Sequence, residues 1–202
     1  MATQTDLKGM LGPPITFQQW GEIDSSPRHD LVDGELVERP EEPFWHALLL
    51  IEIARIVFNF VYEHRVGMIV NSKAKLRISA FGVREPDLFF IPTDQYHLVG
   101  KNLFKGVPSL VVEILSPSNE DMDWRDKARE YADLGVGQYG VVDVLARRLE
   151  VHALRDRPDG GRACELIEVA EGDAVFRPTL FPGLEIPLGA VWPAEFEHHS
   201  DD

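Results

Sequence analysis

Two short runs constrain the fold more than anything else in the sequence: "DLFFIP" at Asp87–Pro92 and "LVVEIL" at Leu110–Leu115. Both are apolar on successive positions, so neither shows the period-two alternation of a strand with one wet face. They read as buried strands. Each also carries one acid, Asp87 opening the first and Glu113 in the middle of the second. An ionised carboxylate removed from water is costly unless it is paired, neutral or bound to a cation. The fold must therefore cover both strands and also supply partners for two buried acids.

The flanking sequence supplies the cover. Phe44 to Glu63 is the clearest helix: Glu52, Arg55, Asn59 and Glu63 form one polar stripe, and the other faces are nearly all apolar, as for a helix packed on a sheet. "GMIVNSKAKLRIS", "VREPDLFFIP" and "VPSLVVEIL" read as three strands. A second helix spans Asp123 to Leu134 and is stopped by Gly135 and Gly137. "QYGVVDVL" is a further strand, and "RRLEVHALR", "RACELIEVA" and "AVFRPTLFPGLEIPL" give a β-rich tail, with a hairpin at Asp159-Gly160-Gly161. Ahead of the first long helix, "TFQQWGEI" begins a short helix capped by Thr16. Asp33-Gly34 in "HDLVDGELVERP" marks a hairpin, because a type I′ turn needs positive φ at both central residues. The expected organisation is a flexible leader over 1–15, one α/β domain over 16–192 and an acidic tail over 193–202.

Charge narrows the function. The 202 residues hold 20 Lys and Arg against 34 Asp and Glu, a net charge of −14. Such a surplus repels polyanions at long range, so a nucleic-acid substrate requires locally concentrated cations or a metal. The single Cys164 excludes a disulfide framework and a cysteine-rich zinc site, and fits a reducing, cytoplasmic setting. The first residues lack the pattern of a signal peptide. The Phe44–Tyr62 stretch is too interrupted by His46, Glu52, Arg55 and Asn59 to read as a membrane span. No Gly-x-Ser-x-Gly elbow supports serine hydrolase chemistry, and the seven His show no metal-ligand spacing.

Two acids on neighbouring buried strands suit a hard divalent cation, which prefers oxygen ligands. The same acids also fit structural ion pairs with Arg, or an edge facing water. Lys127 follows Trp124 by three residues and precedes Tyr131 by four, so all three share one helix face. Its partner is either Glu113 or, in an exposed pair, Asp123. Ser116-Pro117-Ser118-Asn119, just past the Glu113 strand, either approaches a phosphate or caps the next helix through Ser118 and Asp121. Lys73, Lys75 and Arg77 alternate along one strand and so share a face, with Arg84, Lys101 and Lys105 close in sequence. That row is either a phosphate-backbone contact or a solvated sheet face.

"DLVDGELVERP", "REPDLFFI", "PSLVVEILSPSNEDMDWRDKAREYADLGVGQYGVVD" and "LFPGLEIPL", in that order, resemble the Uma-two family of restriction-endonuclease-like proteins, within the PD-(D/E)XK nuclease superfamily. The third stretch is the most specific. The resemblance implies a restriction-endonuclease-like α-β-β-β-α-β core with an N-terminal hairpin and a β-rich C-terminal extension. It implies that Pro86-Asp87 is the Pro-Asp motif and Glu113 the acid of (D/E)XK. The lysine of that motif would fall at Leu115, and the family's displaced lysine matches Lys127. Glu35 and His46 match further family positions near the site. The function implied is an endonuclease hydrolysing DNA with Mg²⁺ or Mn²⁺ held by Asp87 and Glu113; a homodimer would suit cleavage of two strands. An inactive binding protein on the nuclease fold, and a hydrolase of a small phosphorylated molecule, are the alternatives. For the dimer contact the candidates are the β-rich tail and exposed aromatics such as Trp192 and Phe196.

Overall fold

A computed structural model of the chain describes residues 13–20, 29–71, 73–101, 103–115, 123–156 and 162–193. A short helix, α1 (Phe17–Trp20), leads into the hairpin β1 (His29–Val32) and β2 (Glu35–Glu38). The long helix α2 (Phe44–His64) follows, then β3 (Gly67–Asn71), β4 (Lys75–Ser79), β5 (Gly82–Arg84) and β6 (Leu88–Pro92). After a 3₁₀ turn come β7 (Leu103–Phe104), β8 (Leu110–Leu115), α3 (Asp123–Leu134) and β9 (Gln138–Asp143). The tail adds β10 (Arg148–Asp156), β11 (Arg162–Glu171), β12 (Val175–Phe176), β13 (Ile186–Pro187) and α4 (Leu188–Val191).

Local chemistry explains the entry into the fold. Thr16 Oγ1 accepts from the Gln19 amide at 3.4 Å, and Gln19 Oε1 accepts from the Thr16 amide at 2.9 Å, a reciprocal cap on α1. The β1–β2 hairpin turns on Asp33 (φ 50°) and Gly34 (φ 84°), both positive as a type I′ turn requires. A Cβ on Gly34 would meet Pro14 at 2.5 Å, so the residue is fixed twice over.

The central sheet has the order β11-β10-β9-β8-β6-β3. Only β8 and β9 run parallel, with α3 as their crossover; the other pairs are antiparallel. The α-β-β-β-α-β core is therefore α2, β3, β6, β8, α3 and β9. Alternate residues of these strands go to opposite layers. Leu88, Phe90, Leu110, Ile114 and Val142 pack with Leu49, Ile53 and Val57 of α2 and with Phe181, Leu184 and Ile186 of the tail. Phe89, Ile91, Val111, Tyr139 and Val141 pack with Ala128, Tyr131 and Ala132 of α3. Glu113 shares the parity of the second set and belongs to the α3 side, whereas Asp87 immediately precedes β6 at the edge where α2 and α3 both come within reach.

Three expectations change. "GMIVNSKAKLRIS" and "VREPDLFFIP" each split in two. β3 and β6 join the central sheet, whereas β4 and β5 enter a separate sheet of order β2-β1-β5-β4-β7. Lys73 sits at the first break with φ 99°, outside β4. Lys73, Lys75 and Arg77 therefore do not form a row on one strand. Lys75 lies over the Trp20 ring at 4.2 Å and Arg77 over Phe17 at 4.4 Å, so these two stems pack on α1. Trp192 is not a free surface aromatic: its Nε1 donates to the Gly172 carbonyl at 2.6 Å. Ser116, Ser118, Asp121, the turn at 159–161 and Phe196 lie outside the described residues.

Candidate active site

Asp87 and Glu113 enter from adjacent strands. Leu88 pairs with Val112 across β6 and β8, which sets Asp87 beside the Glu113–Ile114 segment. Asp87 Oδ2 accepts the backbone N–H of Ile114 at 2.8 Å and lies 3.1 Å from His46 Nε2 on α2. Its carboxylate is thus gripped by the strand that bears the other acid and by the first turn of the long helix. Glu113 is held by α3: Tyr131 Oη donates to Oε1 at 2.7 Å and Lys127 Nζ donates to Oε2 at 3.2 Å. Tyr131 and Lys127 lie one turn apart, so a single helix face supplies both donors. Leu115, where an in-strand lysine would stand, instead packs into the apolar cluster under α3.

Asp87, Glu113 and His46 are buried and Lys127 partly so, yet the two acids titrate in opposite directions. Burial pushes Asp87 up, but the His46 hydrogen bond and charge, the Ile114 amide and Lys127 outweigh it and hold the carboxyl below its usual range. Burial also pushes Glu113 up; Lys127, Tyr131 and Arg39 oppose this, Asp87 adds repulsion, and the carboxyl stays above its usual range. Burial alone would lower His46, but the Asp87 hydrogen bond and the charges of Asp87, Glu42 and Glu113 raise it. Tyr131 is raised well above an ordinary phenol by burial and by Glu113, so it is a donor and not a base.

Sequence patterning missed two contributors. Arg39 follows β2 and hydrogen-bonds the Glu85 carbonyl, reaches Glu42 at 3.1 Å, and lies 4.0 Å from Asp87 and 3.7 Å from Asp30. Glu42 lies 3.5 Å from His46 Nδ1. Neither had a local signal, because both sit in the irregular stretch between hairpin and helix. Glu35, by contrast, is exposed at the turn end of β2, and the structure does not bring it to the cluster. The cavity at the site has a volume of about 270 Å³. Six acids line it (Asp30, Glu38, Glu41, Glu42, Asp87, Glu113) against Arg39, Arg84 and Lys127.

This donor set fits a divalent cation. Single ligand atoms of Glu42, His46 and Asp87 lie within 4.8 Å of one another. Among the described residues His46 Nδ1 is buried without a hydrogen bond, with Glu42 at 3.5 Å, and the surplus of carboxylates in the cavity lining needs positive charge.

Behind the cluster, Arg84 of β5 is clamped. Its Nε and NH2 donate to the two oxygens of Glu130 on α3 at 2.8 and 2.6 Å, and its NH1 donates to Asp30 of β1 at 3.1 Å. Arg84 thus fixes α3 against the second sheet, one residue from Tyr131, and is no surface cation.

Comparison with known proteins agrees with this architecture. The family model "Uma2: Putative restriction endonuclease" matches residues 15–189. The crystal structure of a putative nuclease belonging to DUF820 from Anabaena variabilis ATCC 29413 superposes with a TM-score of 0.71. It is 16% identical, over 89% of this chain and 98% of that one, and shows a shared fold. No curated protein matches the chain.

Proposed function

The chain belongs to the Uma2 family of putative restriction endonucleases, and on that premise we propose that it is a metal-dependent endonuclease hydrolysing phosphodiester bonds in DNA. One observation carries the reading. Asp87 and Glu113, two buried acids from adjacent strands, converge on a cavity with more carboxylates than cations, and Lys127 reaches Glu113 from a helix.

Asp87 and Glu113 would hold the ion, Mg²⁺ or Mn²⁺, with His46 and Glu42 beside Asp87. Such an ion, when bound, supplies an acidified water and neutralises charge on a phosphate. The protein's own groups prepare for this. The Ile114 amide and His46 keep Asp87 ionised and fixed in orientation. Tyr131 and Lys127 fix both oxygens of Glu113, so little reorganisation is left to the moment of reaction. Lys127 brings the ammonium that offsets charge developing on a phosphate, a role played from α3 because β8 offers Leu115 at the usual place. The net charge of −14 repels a polyanion, so DNA binding without the cation is weak and depends on salt.

The test is cleavage of plasmid and single-stranded DNA in Mg²⁺, Mn²⁺ or EDTA by the wild type, Asp87→Ala, Glu113→Ala and Lys127→Ala. Cleavage should vanish in EDTA and drop at least about 100-fold in each variant, the scale of losing a main charge-stabilising group. Undiminished cleavage by all three variants would sink the assignment.

A further inference from the structure

α2 is apolar on two opposite faces, and only one of them meets the sheet. His46, Leu49, Leu50, Ile53, Val57 and Val61 are buried. On the far side, Leu48, Ile51, Arg55, Phe58 and Tyr62 continue the line begun by the exposed Phe44. At 3.6 residues per turn all six fall within about 40° of one line along the helix. Ile51 is 62% exposed, Phe58 50% and Tyr62 74%. The spacing 4-3-4-3-4 is that of a coiled-coil seam, and Arg55 is its one polar member.

We infer that this outer face of α2 is where two copies of the chain associate, helix against antiparallel helix, about a two-fold axis at the level of residue 53. A two-fold contact requires a patch that complements itself, and this one does in one orientation. Set antiparallel, Leu48 meets Phe58 of the second copy, Ile51 meets Arg55, and Phe44 meets Tyr62. The same three pairs recur on the other side of the axis. Arg55 already bonds Glu52 of its own chain at 2.8 Å. In the pair it also lies beside Glu52 of the second copy, so two Arg and two Glu alternate around the axis. A parallel pair would instead set Arg55 against Arg55 in the seam. On the flank opposite Glu52 stand Ala47 and Ala54, small enough for close approach of the two backbones. The Phe58 and Tyr62 rings, stacked at 5.7 Å, offer a preformed aromatic surface at each end.

Light scattering on the eluting full chain tests this independently of cleavage. The wild type should elute at micromolar concentration with twice the chain mass. Arg55→Glu puts four acids around the axis and should weaken the dimer about tenfold or more. Glu52→Arg combined with Arg55→Glu restores the alternation and should restore the dimer. Phe58→Glu should give a monomer, with far-UV circular dichroism verifying that the fold survives. α2 is also long and apolar enough to cross a membrane, with mean hydropathy 1.6. A wild type that stays monomeric at every concentration, with or without binding to phosphatidylcholine–phosphatidylglycerol vesicles, overturns the inference. So does a dimer that Arg55→Glu and Phe58→Glu both leave equally tight.

Discussion

Two charge clusters meet on α3, and they are built on opposite principles. In the first, Arg84 satisfies both oxygens of Glu130 and one of Asp30 with a planar fork of donors. In the second, Asp87, Glu113 and Glu42 share His46, Lys127 and Arg39 at looser distances, and the two central acids are driven apart in affinity for protons. A guanidinium whose fork reaches both of its acids locks structure; acids held more loosely on a carboxylate-rich cavity leave a place for a cation. A cluster made for stability would be expected to resemble the first.

The largest effect should come from breaking the clamp. Arg84→Ala leaves Asp30 and Glu130 without their guanidinium and should cost about 3–5 kcal/mol of stability, read from urea denaturation. The same experiment on Glu113→Gln should go the other way. Glu113 has a raised carboxyl, so folding disfavours its ionised form. Its contribution is therefore greatest below the ordinary carboxylate range and declines as pH climbs through the raised value. At neutral pH Glu113→Gln should equal or exceed the wild type in stability while losing cleavage, and its advantage should shrink as the pH is lowered. If Glu113→Gln destabilises as much as Arg84→Ala, the two clusters are of one kind.

The clamp also marks the limit of reading sequence without contacts. The buried runs around Asp87 and Glu113, the Asp33-Gly34 turn and the extent of α2 are local patterns, and they stand in the structure as read. Helical spacing alone puts Lys127 on the aromatic face of α3, and that face turns inward. Arg84, Arg39 and Glu42 carry no such signal. A lone charged residue in a short strand or loop looks like surface until its partner, 46 or 54 residues away for Arg84, is folded onto it. Lys73 misleads for a related reason: an alternating pattern runs straight through the interruption between β3 and β4, which the positive φ of Lys73 reveals.

Smaller effects sharpen the same contrast. His46 should titrate above an ordinary imidazole by NMR, because Asp87 and its neighbours outweigh burial. Asp87→Asn removes both the charge and the charged hydrogen-bond acceptor, so the His46 value should fall. An unchanged value would remove Asp87 as the cause. Smallest of all, Glu35→Gln should leave cleavage unaltered and stability within about 0.5 kcal/mol, since the side chain is exposed and away from the cavity.

Metal binding itself gives the most direct measurement. Calorimetric titration of Mn²⁺ into the wild type, Asp87→Asn, Glu113→Gln and the clamp variant Glu130→Gln separates a cation site from a structural cluster. Saturable binding to the wild type and Glu130→Gln, abolished in Asp87→Asn and Glu113→Gln, is the predicted result. A wild type that binds no Mn²⁺, or one whose binding survives both site substitutions, would contradict it.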